Sequence, residues 1–218
     1  ICTITINRPQ ARNAINRAAA EALRAAYLRF EAAEHLRVAI VTGAGGQFCA
    51  GADLKAAIDP NLAKDPSTLS TSPLGPTHLA LSKPLIAAIE GYAVAGGLEI
   101  ALQADLRVAG EGAALGVFCR RWGVPLIDGG TVRLPRIVGM GRALDMILTG
   151  REVGADEALA MGLVNRVVPN GQALAAAQTL AQRLLPREHA LLLAVLRLAV
   201  AGRITEQGAQ ACCDGQPL

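Results

Sequence analysis

Gly91-Tyr92-Ala93-Val94-Ala95-Gly96-Gly97-Leu98-Glu99 follows the apolar run Pro84-Leu85-Ile86-Ala87-Ala88-Ile89, and its reading decides the fold. A short apolar run closed by Glu90-Gly91 has the length and composition of a strand buried on both faces. Gly96-Gly97 then opens a short helix. Small residues between a buried strand and a helix leave backbone N–H groups uncovered at the helix N-terminus, where free donors and the helix dipole favour negative charge. A stretch of the same kind, Phe48-Cys49-Ala50-Gly51-Ala52-Asp53-Leu54-Lys55, follows the strand-like run Val38-Ala39-Ile40-Val41-Thr42. One such loop is a common packing device. Two in one chain can converge on a single oxygen and supply the donor pair that holds an enolate or oxyanion.

Outward from these loops, Thr3 to Asn7 alternate as a strand does, and Arg8-Pro9 ends the run. Asn16 is suited to cap a helix whose apolar side is Leu23, Tyr27 and Phe30, so the N-terminal part reads as β-α-β. Residues 60–76 contain four Pro and little periodicity, the pattern of a long loop suited to a lid or pocket wall. Leu106-Arg107-Val108 and Leu115 to Phe118 read as short extended pieces. Beyond Gly129-Gly130 the chain reads as mainly helical: Met140 to Leu148, Ala155 to Met161, a brief strand at Val164 to Val168, Gln172 to Leu185 and His189 to Val200. From Gly208 onward it reads as weakly structured.

The chain has 218 residues, 52% hydrophobic and 18% charged, enough to bury a sizeable core. Aromatics are 3% and about a fifth of all positions are Ala, so backbone packs closely on backbone. Apolar stretches fall short of the ~18 to 20 residues that cross a bilayer. The net charge of +3 is carried by scattered Arg without interleaved aromatics, which does not indicate nucleic acid. Five Cys, with no Cys-x-x-Cys pair, argue against a disulfide framework and a zinc site. The chain begins at Ile1 without an initiator Met and already reads as a strand, so the N-terminus reads as incomplete. A cytoplasmic location is the expectation, with an organellar form left open.

Gly43-Ala44-Gly45-Gly46 fails as a dinucleotide turn, because the sixth position is Phe48 and no acidic residue follows at the required distance. Gly-x-Ser-x-Gly and the phosphate loop are absent, and His35, His78 and His189 are isolated.

Seven strings in order, Asn7-Arg8-Pro9, Ala50-Gly51-Ala52-Asp53-Leu54-Lys55, Lys83-Pro84-Leu85-Ile86-Ala87-Ala88-Ile89, Gly91-Tyr92-Ala93, Gly96-Gly97-Leu98-Glu99, Asp105-Leu106-Arg107 and Leu148-Thr149-Gly150-Arg151, resemble the crotonase family of enoyl-CoA hydratases and isomerases. The match spans about residues 3 to 170. The resemblance implies an α/β fold with a crotonase-like β-β-α spiral core over residues 1–170 and a C-terminal helical region over 171–218, shorter than is usual in the family. It also implies a homotrimer or dimer of trimers, and an acyl-CoA substrate with no separate cofactor.

By the matched motifs, Ala52 and Gly96 would give two N–H donors to the thioester oxygen and favour the enolate. Ala50, Asp53 and Leu54 would line the CoA path. Arg12 is a candidate for a CoA phosphate contact or, equally, a solvated surface residue. Hydratases of the family use two Glu. Glu99 matches the first, against the alternative of a capping acid; the helix dipole would lower its pKa, so any rise must come from burial. Cys119 stands where the second is expected. Asp128, in Asp128-Gly129-Gly130-Thr131, resembles a catalytic Asp of the dienoyl-CoA isomerase branch, against the alternative of an N-cap. The functions implied are an enoyl-CoA hydratase, a double-bond isomerase using the same carboxylates, or an acyl-CoA binder without turnover.

Overall fold

The computed structural model describes residues 1–57 and 72–185, together with the backbone of three short strands between 204 and 217. The apolar runs form the strands expected of them. Five parallel strands make the main sheet: β1 (Cys2–Ile6), β2 (Ala39–Gly43), β3 (Leu85–Ile89), β5 (Leu106–Gly110) and β8 (Arg166–Val168), side by side in that order. Side chains alternate across a strand, and here both faces are covered. Ala39, Val41, Leu85, Ala87 and Ile89 enter the main core, which also holds Tyr27 and Phe30 of α1 (Arg17–Ala32). Val38, Ile40, Ile86, Ala88 and Val108 face the other way, onto Ala173, Ala177, Leu180 and Ala181 of α7 (Ala173–Arg183). Two-sided burial is why β2 and β3 read as unbroken apolar runs. As expected, Asn16 caps α1, its side chain accepting from Ala19 N at 3.0 Å.

After three strands of the main sheet, the chain makes a short second strand or bridge and then a helix. β2 leads to the parallel bridge Cys49↔Ala93 and to α2 (Leu54–Ala57). β3 leads to β4 (Tyr92–Val94) and α3 (Gly96–Gln103). β5 leads to β6 (Ala114–Gly116), a 3-10 turn (Phe118–Trp122) and α4 (Gly130–Val138). This is the β-β-α spiral that the motifs implied. β4 and β6 pair in parallel, and β6 pairs antiparallel with β7 (Val153–Gly154). α5 (Met140–Thr149) and α6 (Ala155–Ala160) complete this layer.

The turns of the spiral lie close together because Gly97 has no side chain. A Cβ there would sit 2.0 Å from the carbonyl oxygen of Cys49. Buried Arg107 ties β5 to the turn before β8, its backbone N–H reaching Asn165 Oδ1 at 2.8 Å and its Nε reaching Leu163 O at 2.7 Å.

Three expectations change. Phe118 begins the 3-10 turn rather than ending an extended piece, because Gly123 at φ 66 closes that turn by donating its N–H to Cys119 O. The strand expected from Val164 is confined to β8, where Val108 to Gly110 supply partners. The tail from Gly208 onward, expected to be weakly structured, contains β10 (Gln210–Cys213) and β11 (Gln216–Pro217), which join β9 (Ile204–Gln207), just before it, in one antiparallel sheet. Its sequence lacks the apolar alternation that marks a strand, and the backbone ladder supplies the pairing instead. The helix expected at 189–200 lies outside the described residues.

Gly97→Ala should destabilise the protein by about 2 kcal/mol, as overpacking does, lowering Tm by about 4 to 8 °C for a domain of this size. Thermal unfolding followed by circular dichroism measures it.

Candidate active site

The site is built at the start of α3, a helix whose residues from Gly96 to Leu102 are all buried. Ala95, just before it, has φ 52 and ψ −126, which an L-residue rarely adopts. Its N–H donates to Gly116 O at 2.9 Å, and its carbonyl accepts from Leu98 and Glu99 N–H at 3.0 and 3.3 Å. Backbone strain of this kind persists only where its surroundings over-determine it, and it gathers at functional sites.

The upstream loop is held against this turn. Ile15 N–H donates to Gly51 O and Asp53 N–H to Ile15 O, both at 2.8 Å, while Ala50 N–H reaches Arg12 O at 3.0 Å. Asn13, fully buried at φ 58, accepts from Arg8 N–H and donates to Ala44 O, both at 2.8 Å. The two loops touch: a Cβ on Gly51 would lie 2.9 Å from Gly96 N. Between them opens a cavity of about 500 Å³. Ala50, Ala52 and Leu54 line it from one loop, and Ala95, Gly96 and Glu99 from the other. The backbone N–H groups of Ala52 and Gly96 have no hydrogen-bond partner among the described residues. Two such donors on one cavity can stabilise charge developing on an oxygen.

Glu99 and Asp128 are each 2% exposed and both line the cavity. Glu99 Oε1 accepts from Asp128 N–H at 2.9 Å and Gly130 N–H at 2.8 Å, so it caps nothing on its own helix. Burial pushes its carboxyl up to about 7. The Gly130 N–H opposes this, the Asp128 charge adds to it, and the Arg133 guanidinium opposes it. The rise therefore has the cause expected from the sequence. Asp128 Oδ1 accepts from the hydroxyls of Ser72 and Thr77. It does not cap α4, whose N-cap position is taken by Gly129 without any side-chain cap. A Cβ on Gly130 would come within 2.9 Å of Glu99 Oε1, so this position must stay small for the two acids to meet.

Cys119 lies in the same cavity, 7% exposed. Burial, and after it the charge of Glu99, pushes its thiol up to about 11, so it is a neutral group. Exposed Arg12 also lines the cavity, its guanidinium 5.7 Å from the centre of the Tyr92 ring. Asp53 departs from expectation: it is not among the lining residues, because its carboxylate turns to pair with Arg8 Nη2 at 3.1 Å. Of the loop expected as a lid or wall, Pro73 and Leu74 line the cavity, while residues 60–71 lie outside the described residues.

Sequence reading passed over Asn13, Ser72, Thr77 and Arg133. Asn13 left one signal, a residue type that tolerates left-handed backbone next to a turn. The others sit in segments without motif. Among the described residues, no three His, Cys, Asp or Glu group so as to hold a metal ion.

A profile of the enoyl-CoA hydratase/isomerase family matches residues 1–212. Enoyl-CoA hydratase EchA19 of Mycobacterium tuberculosis is 42% identical over 202 residues, covering 89% of this chain and 74% of that protein. A carnitinyl-CoA dehydratase of Salmonella arizonae is 43% identical over 186 residues, 84% of this chain and 70% of its own. A solved enoyl-CoA hydratase from Mycobacterium tuberculosis superposes with a TM-score of 0.82 at 40% identity, over 92% of this chain and 78% of that one. With the family profile matched over residues 1–212 and relatives above 40% identical over most of its length, the chain belongs to the enoyl-CoA hydratase/isomerase family.

Proposed function

We propose that the protein is an enoyl-CoA hydratase-like enzyme that acts on acyl-CoA thioesters through an enolate. The observation that carries this reading is the pairing of Glu99 and Asp128 in one cavity with the N–H groups of Ala52 and Gly96, which have no partner among the described residues. In hydration, water oxygen bonds to the β-carbon while one carboxylate takes its proton. The double-bond electrons move onto the thioester oxygen, where the two N–H groups hold the enolate. The other carboxyl group returns a proton to the α-carbon as the carbonyl re-forms. The acid pair carries one proton before and after, so Glu99 and Asp128 share water activation and α-proton transfer.

Ala50, Leu54 and Arg12 take the CoA moiety, and coenzyme A enters as part of the substrate with no further cofactor. A homotrimer or dimer of trimers belongs to the same proposal, as does a cytoplasmic location. No helix among the described residues is long and apolar enough to cross a membrane. A second reading, double-bond isomerisation by the same two acids without water, is favoured by Cys119. A neutral thiol there leaves Asp128 as the only other carboxyl group beside Glu99 on the described cavity wall, apart from exposed Glu152.

Crotonyl-CoA should lose its unsaturated-thioester absorbance and yield a 3-hydroxyacyl-CoA. An isomerised product with no water gained would replace the first reading by the second, and tight binding without turnover would defeat both. Glu99→Gln should lower kcat by about 10²- to 10⁴-fold, the usual worth of a general acid–base, with the circular dichroism spectrum and CoA binding unchanged.

Glu99, beside the Asp128 charge, holds its proton below about 7 and releases it above. The value of kcat/KM should therefore decline as pH rises through about 7. The sign for stability is the same: the folded state keeps a proton that the unfolded chain has lost, so stability falls between the ordinary carboxyl range and about 7. Urea titrations across that window measure it.

A further inference from the structure

The turn Asp128-Gly129-Gly130 holds both acids of the site. Its N–H groups at 128 and 130 fix Glu99 Oε1, and its first residue bears the second carboxylate. Arg133, in the first turn of α4, folds back over this turn. Its Nη1 donates to the carbonyl oxygen of Asp128 at 2.9 Å, and its Nη2 to that of Thr77 at 2.6 Å. The Thr77 hydroxyl in turn donates to Asp128 Oδ1. One planar fork thus joins the main chain of Asp128 to the main chain of the residue that holds its carboxylate. Gly129, at φ 93, makes room for it: a Cβ there would lie 2.3 Å from Arg133 Nη1.

We propose that Arg133 is a positioning residue that sets the spacing and direction of the Asp128 and Glu99 carboxyl groups; the proposal rests on the reading of both as the acid pair of the reaction. A lysine would keep the charge yet could not span both carbonyls as the guanidinium fork does. Geometry matters steeply here, since a displacement of about 1 Å at a reacting group can lower a rate by about 100-fold. The charge of Arg133 also bears on Glu99. The titratable and charged groups facing Glu99 are Asp128 and Arg133 around the start of α4 and Cys119 on the 3-10 turn. His78, on the segment packed against the turn, meets Ile127 O at 3.3 Å. Among these Arg133 is the group that lowers the Glu99 pKa by its charge.

The test compares Arg133→Lys, Arg133→Met, Asp128→Asn and the double variant Arg133→Lys/Asp128→Asn in the full chain, with crotonyl-CoA as substrate and kcat taken per folded molecule from circular dichroism. Arg133→Lys should lower kcat by about 10- to 100-fold with KM changed by less than about threefold, and leave the decline in kcat/KM near pH 7 where it is. Arg133→Met should lose as much and move that decline to higher pH. In the Asp128→Asn background Arg133→Lys should cost less than it does in the parent, because only the placing of Glu99 is then left to lose; an equal cost in both backgrounds would overturn its action through Asp128. A lowered Tm with kcat per folded molecule unchanged in Arg133→Lys would overturn the proposal and leave the arginine purely structural. Should Arg133→Met fail to fold, Arg133→Lys and the double variant decide it. Full activity in Asp128→Asn beside a loss in Arg133→Lys would remove Asp128 from the reaction while keeping Arg133 as the positioner of Glu99; full activity in both would remove the positioning role.

Discussion

The approach of the Cys49 carbonyl to the first turn of α3 is the contact on which the rest of the site depends. It brings two segments more than forty residues apart within backbone contact, and it exists because position 97 carries no side chain. Helix and loop then share one wall of the cavity, so that Ala52 and Gly96 stand on the same space as Glu99. The strained backbone at Ala95 belongs to the same constraint. Its N–H and carbonyl are both taken up by hydrogen bonds, one to β6 and one to the helix it starts, which leaves the peptide N–H of Gly96 without a protein partner among the described residues.

Burying a carboxyl group costs free energy unless donors replace the lost water. Two backbone N–H groups do so for one oxygen of Glu99, and the hydroxyls of Ser72 and Thr77 do so for one oxygen of Asp128. The compensation is partial at Glu99, whose carboxyl stays near 7, in the range where a group can give and take a proton at neutral pH. Each acid is thus anchored through one of its two oxygens. Arg133 limits the mutual repulsion of the pair while bracing the turn that carries them.

Cys119 stands at the position where the family resemblance led to the expectation of a second Glu, and a neutral thiol cannot replace a proton-shuttling carboxylate. Asp128, nine positions further on, reaches the same cavity because the chain passes from the 3-10 turn into α4 alongside Glu99.

The β2 and β3 strands, the α1 cap at Asn16 and the helix start at Gly96-Gly97 were legible in the sequence because they follow local rules: burial on two faces gives unbroken apolar runs, and caps and glycines mark ends. The acid Glu99 was legible from its Gly-Gly-Leu-Glu context. Contacts between distant segments were not. Asp53 carries the right residue type in the right loop, yet only the folded chain shows it paired with Arg8. Asp128 alone in the sequence could be a cap or a proton carrier, and the position of Gly129 at the helix start removes the cap. Ser72, Thr77 and Arg133 have no local pattern, since their work is done across some fifty residues of chain. Sequence by itself determined the family, the strands of the main sheet and the candidate acids, because those depend on neighbours in the chain; the tertiary structure decided which acids face one cavity and what holds them there, because burial and hydrogen-bond geometry exist only once distant segments have met.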